Sequence, residues 1–287
     1  NPERSVQLAQ GLCELHGAVI LTPEHRLALT LSAHSASRAV DQLARLHYSK
    51  MLTPRNRTQL FTYPIHSELI CNGLLKLHQA NLRTEENCAL LFTHPAYSQL
   101  IGYSLATLQQ AGILTDENRS TIIAYPEHSD TLAEGLTALQ NAGILTQRNL
   151  GLLFAYPEHS YRIANSLGML YLQGILTEEH CYAVLSKPDS CFRIAWGFTI
   201  LFRAGCLTPE NRSALICQPE HSIRMANALL TLYDSKISTS ENRLILYTYP
   251  EDCENLALGI LSLHQSNLLT EENRMILLAH REYSAEI

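Results

Sequence analysis

The chain has 287 residues, of which 46% are apolar and 17% charged, and it carries a formal net charge of −6. That much burial-competent material excludes a disordered chain, and the acidic balance argues against a protein that works by wrapping phosphate backbones. No run approaches the ~20 apolar residues a membrane helix needs, and the first residues have no signal-peptide pattern, so the expectation is a protein with no membrane partner.

In chain order, the first predicted element is a helix from Pro2 to about His16, and it is the second half of a unit whose register becomes clear immediately afterwards. Thr22, Thr53, Thr84, Thr115, Thr146, Thr177, Thr208, Thr239 and Thr270 follow one another at intervals of 31 residues, without insertion or deletion. A fixed period in this range is the signature of a repeat array. The fold class expected is all-α, an α-solenoid of 31-residue two-helix repeats, with residues 1–287 forming a single elongated helical-repeat domain.

Within each unit the threonine reads as a helix N-cap. Its hydroxyl can accept from free backbone N–H groups, and acids follow in the first turn, as in the TDENR of Thr115 to Arg119. Pro23, Pro54 and Pro209 at the next position agree, because N1 has no intrahelical bond to lose. Apolar residues come seven and eight places after the threonine (Leu60-Phe61, Leu91-Phe92, Ile122-Ile123, Leu153-Phe154), so the spacing predicts a first helix of about ten residues. It must stop at Pro64, Pro95, Pro126, Pro157, Pro188, Pro219 and Pro250. These prolines are expected to open a second, longer helix with one buried face, as in Leu132, Ala133, Leu136 and Leu139 or Ile163, Ala164, Leu167 and Leu170. Gly112, Gly143, Gly174 and Gly205 suit the left-handed position that ends this helix, with Asn81 and Asn267 as substitutes. Neither helix can bury its stripe without the next unit.

Few residues suggest chemistry. The histidines His66, His128, His159 and His221 recur in register, but a column spaced by a helix-packing distance of ~10 Å cannot converge on one ion, so local hydrogen bonding or packing is expected and no metal site. Eight cysteines show no CxxC pair and mostly replace small residues of the repeat, which predicts reduced, buried or half-buried thiols in a cytoplasmic, reducing compartment. Arg57, Arg119, Arg212, Arg243 and Arg274 lie at the wrong helix end for the dipole and are expected to form a ladder with acids of the same or adjacent repeat. HExxH, GxSxG, GxGxxG and P-loop patterns are missing, so no catalytic residue, enzyme activity or cofactor is expected.

The informative departures lie fifteen places after the threonine. Ser37, Glu68, Gln99 and Asp130 give way to Tyr161, Phe192 and Ile223, and then polarity returns at Glu254. The same three units place Arg162, Arg193 and Arg224 next, with Asn165, Trp196 and Asn227 three positions further on. One reading is a recognition surface, since arginine and tryptophan are frequent anchors. The other is that the apolar residues thicken the inter-repeat core while the arginines pair with first-helix acids.

The layout resembles the tetratricopeptide class of α-solenoid, although the period is shorter and the Trp/Tyr signature is missing. The wording GILT-x-ENR joined to YPEHS resembles the tandem repeats of secreted effectors of Legionella-type intracellular bacteria, in particular the metaeffectors. That resemblance covers the whole chain and implies a protein delivered into a host cytosol that binds and restrains another effector, such as the translation inhibitor SidI. The expected function is therefore a non-enzymatic protein-interaction scaffold whose partner is another protein. The alternative is a helical-repeat nucleic-acid binder.

Overall fold

The computed structural model describes residues 33–281 and single positions between Val6 and Pro23. The helix expected from Pro2 and the first threonine cap, Thr22, fall outside the continuously described residues. Sixteen α-helices and no strands are present among the described residues. They are α1 (Ala33–Tyr48), α2 (Pro54–Thr62), α3 (Ser67–Gln79), α4 (Glu85–Thr93), α5 (Ser98–Gln110), α6 (Asp116–Ala124), α7 (Ser129–Asn141) and α8 (Gln147–Ala155). After these come α9 (Ser160–Leu172), α10 (Glu178–Leu185), α11 (Cys191–Arg203), α12 (Pro209–Cys217), α13 (Ser222–Asp234), α14 (Ser240–Thr248), α15 (Cys253–Gln265) and α16 (Glu271–Ala279). From α2 onward, even-numbered helices are the short first helices of the repeat and odd-numbered ones the long second helices. The α-solenoid fold class read from the repeat is the one observed.

The chain divides into two compact units, Asn1–Thr137 and Ala138–Ile287. In the first, α1, α3 and α5 pack side by side, with α2 and α4 bridging them. In the second, α9, α11, α13 and α15 form the same arrangement. The core is the face the period predicted: Ile163, Ala164, Leu167 and Leu170 are fully buried, as are their counterparts Ile194, Ala195, Phe198 and Leu201. On the short helices the first residue of each apolar pair is fully buried (Leu60, Leu91, Ile122, Leu153), while the second is half-buried except at Phe92.

Each threonine from Thr53 to Thr270 is the N-cap, with its side chain accepting from the backbone N–H three residues on. The residue supplying that N–H is an asparagine in every described repeat but one, and its side chain has a second task. Asn118 Nδ2 donates to the Ile113 carbonyl at 2.7 Å, and Asn56, Asn87, Asn149, Asn211, Asn242 and Asn273 do the same to the residue five before each. Ile113 is also the residue whose N–H closes the end of α5 onto Leu108 O at 2.9 Å. The clamp therefore ties the end of one repeat to the start of the next.

The left-handed positions are Gly112, Gly143, Gly174 and Gly205, with φ of 69 to 72°, and also Lys50, Asn81, Lys236 and Asn267, with φ of 56 to 59°. The two lysines were not expected there, since a Cβ at positive φ is costly. The prolines do not open the long helix directly. Six of them begin a three-residue 3₁₀ turn, such as Pro157–His159, and the α-helix starts at the next residue, a buried serine or cysteine. Ser98, Ser160 and Ser222 donate to carbonyls seven residues earlier (Leu91, Leu153, Leu215) at 2.8 to 3.1 Å, locking short helix to long helix.

Small residues set how closely the long helices approach. A Cβ added at Gly102 would lie 2.7 Å from Gly73 Cα, and one at Gly73 would lie 2.4 Å from Ser98 O. The alanine that other repeats carry at the Gly102 position is thus excluded here by backbone, not by a movable side chain. Gly102→Ala is expected to lower stability by about 1 to 3 kcal/mol, the range for overpacking, in thermal or urea melts. Asn118→Ala removes a buried hydrogen bond and is expected to cost about 1 to 2 kcal/mol by the same measurement.

Candidate functional site

The surface singled out from the sequence lies in the second unit, at the N-terminal ends of α9, α11 and α13. The buried faces of these helices are continuous with their neighbours (Ile163, Ile194 and Met225 are fully buried), which fixes the opposite face outward. Tyr161 and Phe192 are each 46% exposed and Trp196 is 41% exposed, while Ile223 is half-buried. Tyr161 and Phe192 therefore do not thicken the inter-repeat core. Phe192 and Trp196, one helical turn apart, stack with ring centroids 6.1 Å apart and planes inclined by 19°. Asn165 is half-buried and its Nδ2 donates to Tyr161 O at 3.0 Å; Asn227 is exposed.

The three arginines are exposed but not equivalent. Arg193 donates to the Glu220 carboxylate, and the Ser190 hydroxyl donates to the same group. The Ser190 hydrogen bond first, and the Arg193 charge after it, hold the Glu220 carboxyl below the usual carboxylate range. Glu220 sits in the proline turn before α13, so the pairing runs to a turn acid of the next repeat and not to a short-helix acid as the core-thickening reading required. Arg162 and Arg224 have no ion-pair or hydrogen-bond partner for their guanidinium groups among the described residues. Asp189, the turn acid that corresponds to Glu220 for Arg162, lies 3.4 Å from His159 Nε2 instead. Arg193, Glu220, His221, Ile223 and Arg224 line an open hollow of about 430 Å³.

Sequence reading missed how far the apolar surface extends. From Tyr161 the outer line of α9 continues through Asn165 and Met169 to Leu172, which is 71% exposed, and that of α11 runs from Phe192 through Trp196 and Ile200 to Arg203. The same line on α3 is Glu68, Asn72, Lys76 and Gln79, and there Asn72 bridges Arg45 and Gln99 at 3.0 and 2.9 Å. The signal was available as a second helical turn beyond the residues singled out.

Other predicted features resolve into structure. The arginine ladder forms only in part: Arg119 contacts Glu86 and Asp116 at 3.2 Å, Arg212 contacts Glu179, and Arg274 contacts Glu271 at 3.2 Å, whereas Arg243 donates to the Ser238 carbonyl at 2.7 Å and Arg57 pairs with no acid among the described residues. Among the described residues no three His, Cys, Asp or Glu side chains group as metal ligands. The cysteines are free thiols; six are buried, whereas Cys13 and Cys217 are exposed. Burial pushes the Cys71 thiol up to about 11 and that of Cys253 to about 12. Among the described residues no helix is long and apolar enough to cross a membrane. Comparison with protein-family models, with curated proteins and with solved structures finds no match.

Among the described repeats, the one without the clamp asparagine is the one that carries Trp196. There His180 is buried, with Nδ1 against Ile175 O, its ring 5.1 Å from that of Phe198, and Nε2 buried without a partner. The Ile175 contact requires the proton on Nδ1, which leaves Nε2 as an unfilled acceptor. Burial lowers the His180 pKa from its ordinary 6.5, outweighing the Ile175 hydrogen bond that favours the charged form, while nearby Arg212 adds to the lowering. With the folded value depressed, the unfolded chain binds the proton first. Stability from neutral His180 is present above about pH 6.5 and declines as the pH falls below it, by at most about 1.4 kcal/mol per pH unit. Melts from pH 7.5 down to 5.5 should show this loss in the natural chain, and His180→Asn should remove that component of the slope.

Proposed function

We propose that this chain is a non-enzymatic protein-binding scaffold that captures another protein on the outer face of α9, α11 and α13. The observation that carries the reading is the coincidence of exposed Tyr161, Phe192 and Trp196 with two unpaired guanidinium groups, Arg162 and Arg224, on helices whose buried face keeps the repeat pattern. Burying such aromatics in a partner contributes large area, and arginine takes carboxylates in bidentate fashion. The resemblance of the repeat wording to the metaeffector MesI extends the proposal: the partner is a second bacterial effector, such as the translation inhibitor SidI, which the scaffold restrains in the reducing cytosol of a host cell. Free, buried thiols accord with that compartment.

Nucleic acid fits this surface less well. The arginines occupy only three repeats, acids stand in the neighbouring proline turns (Glu158, Asp189, Glu220, Glu251), and the net charge is −6.

The test is charge reversal of Arg162, Arg193 and Arg224 together. Binding to purified SidI, measured by calorimetry, is expected to weaken by well over the ~1 to 2 kcal/mol of a single hot-spot loss. The melting temperature should scarcely change, because the Arg193–Glu220 pair is solvent-exposed and such pairs contribute little. Undiminished affinity in the folded variant would refute the surface, and an unfolded variant would assign the arginines to the fold.

A further inference from the structure

The outer faces of α9 and α11 differ from those of the other long helices in two ways that point to one kind of ligand. First, their apolar residues follow the helix axis. Tyr161, Met169 and Leu172 on α9, and Phe192, Trp196 and Ile200 on α11, sit on lines of spacing i, i+4, i+8 and i+11, with Asn165 and Arg203 completing the lines. Such residues stack along one side of a helix, so each line spans eleven rises, or about 16 Å. Because α9 and α11 pack side by side and the two lines hold equivalent positions of successive repeats, they run as parallel ridges on one face, with the furrow between the helices lying between them.

Second, the two helices themselves carry one sign of charge. Neither α9 (SYRIANSLGMLYL) nor α11 (CFRIAWGFTILFR) contains a carboxylate, and together they hold three arginines. Arg162 and Arg193 lie at the end where the helices begin, and Arg203 lies at the other end, its Nε donating to Gln173 Oε1 at 3.0 Å. Only Arg193 is neutralised by an ion pair, through Glu220.

We infer that this furrow receives an amphipathic helix of the partner protein, laid along α9 and α11, with an apolar stripe against Trp196 and Leu172 and carboxylates at its margins facing Arg162 and Arg203. A lengthwise furrow of about three turns matches the ridges of a helix. An extended strand crossing the repeats would instead meet one aromatic column and would leave Met169, Ile200 and Leu172 in water. The carboxylates follow from charge complementarity, since α9 and α11 hold three arginines and no acid, and the carboxylates of the preceding turns, Glu158 and Asp189, lie against His159. This inference rests on the surface proposed above and adds the conformation and polarity of what binds there.

A displayed library of random peptides about sixteen residues long, enough for four turns, is selected on the whole chain. Enriched peptides are then titrated against the natural protein, Trp196→Ala, Leu172→Ala and the triple arginine reversal, each first shown to be folded by circular dichroism. Two separate apolar truncations keep the test decisive if either one fails to fold. The expected result is enrichment of sequences with apolar residues at i, i+3 or i+4 and i+7 flanked by Asp or Glu, which become helical when bound. They should lose affinity at least about tenfold on Trp196→Ala and on Leu172→Ala. Extended or proline-interrupted ligands, basic ligands, or no enrichment at all would overturn the inference. So would self-association of the chain abolished by Trp196→Ala, or ligands that ignore Trp196 and Leu172. Among these, ligands still weakened by the arginine reversal would leave the proposed surface standing, whereas ligands indifferent to every variant would remove both.

Discussion

Every junction in the described chain but the one at Thr177, where His180 stands in, depends on one small polar clamp. The threonine hydroxyl accepts the N–H of the asparagine three residues on, and the asparagine amide donates back to a carbonyl five residues earlier. That carbonyl belongs to the residue whose own N–H terminates the preceding long helix. A helix end and a helix start, which each leave backbone groups unsatisfied, are thereby solved by the same two side chains. The clamp is short and buried, so it fixes the angle at which one repeat leaves and the next begins. Where the backbone leaves no room to vary, insertion is not tolerated, which gives a physical reason for an unbroken 31-residue period.

Once the junctions are fixed, packing between successive long helices is the remaining freedom, and small residues control it. Gly73 and Gly102 bring two backbones within a distance that no side chain could share. At Gly197 an added Cβ would meet Ser222 O at 3.1 Å, a tighter version of ordinary contact. The buried face is thus tightly specified along its whole length, and variation is displaced to the outer lines of the long helices. This division explains how α9 and α11 can carry tyrosine, phenylalanine and tryptophan outside while their inner faces repeat the pattern of helices that carry glutamate and glutamine there.

The fold was legible because its determinants are local. Threonine caps, glycine at positive φ and a one-sided apolar period each act within a few residues, and all three agreed. What was missed was either locally atypical or distant. Lys50 and Lys236 take the left-handed position without a glycine-like signature, held there by the same terminal hydrogen bonds. The 3₁₀ turns arise because a buried serine, and not the proline, supplies the start of the long helix. The asparagine of ENR stood in plain view in almost every repeat, yet its target carbonyl is defined only once the helix end is built. In the candidate site, the partial exposure of Tyr161 and Phe192 becomes visible only once neighbouring repeats are packed. The pairing of Arg193 alone could not be foreseen, since it depends on an acid 27 residues away.

The buried thiols have a practical meaning beyond packing. Cys71 and Cys88 lie in the first unit and Cys181, Cys191, Cys206 and Cys253 in the second, spread over short helices, long helices and a junction. Since the thiolate is the reactive form and burial raises these groups, an alkylating reagent can reach each one only when its own repeat opens. The chain therefore carries its own opening reporters in four repeats, those that begin at Thr53, Thr84, Thr177 and Thr239, and their separate labelling rates would show which of these breathes.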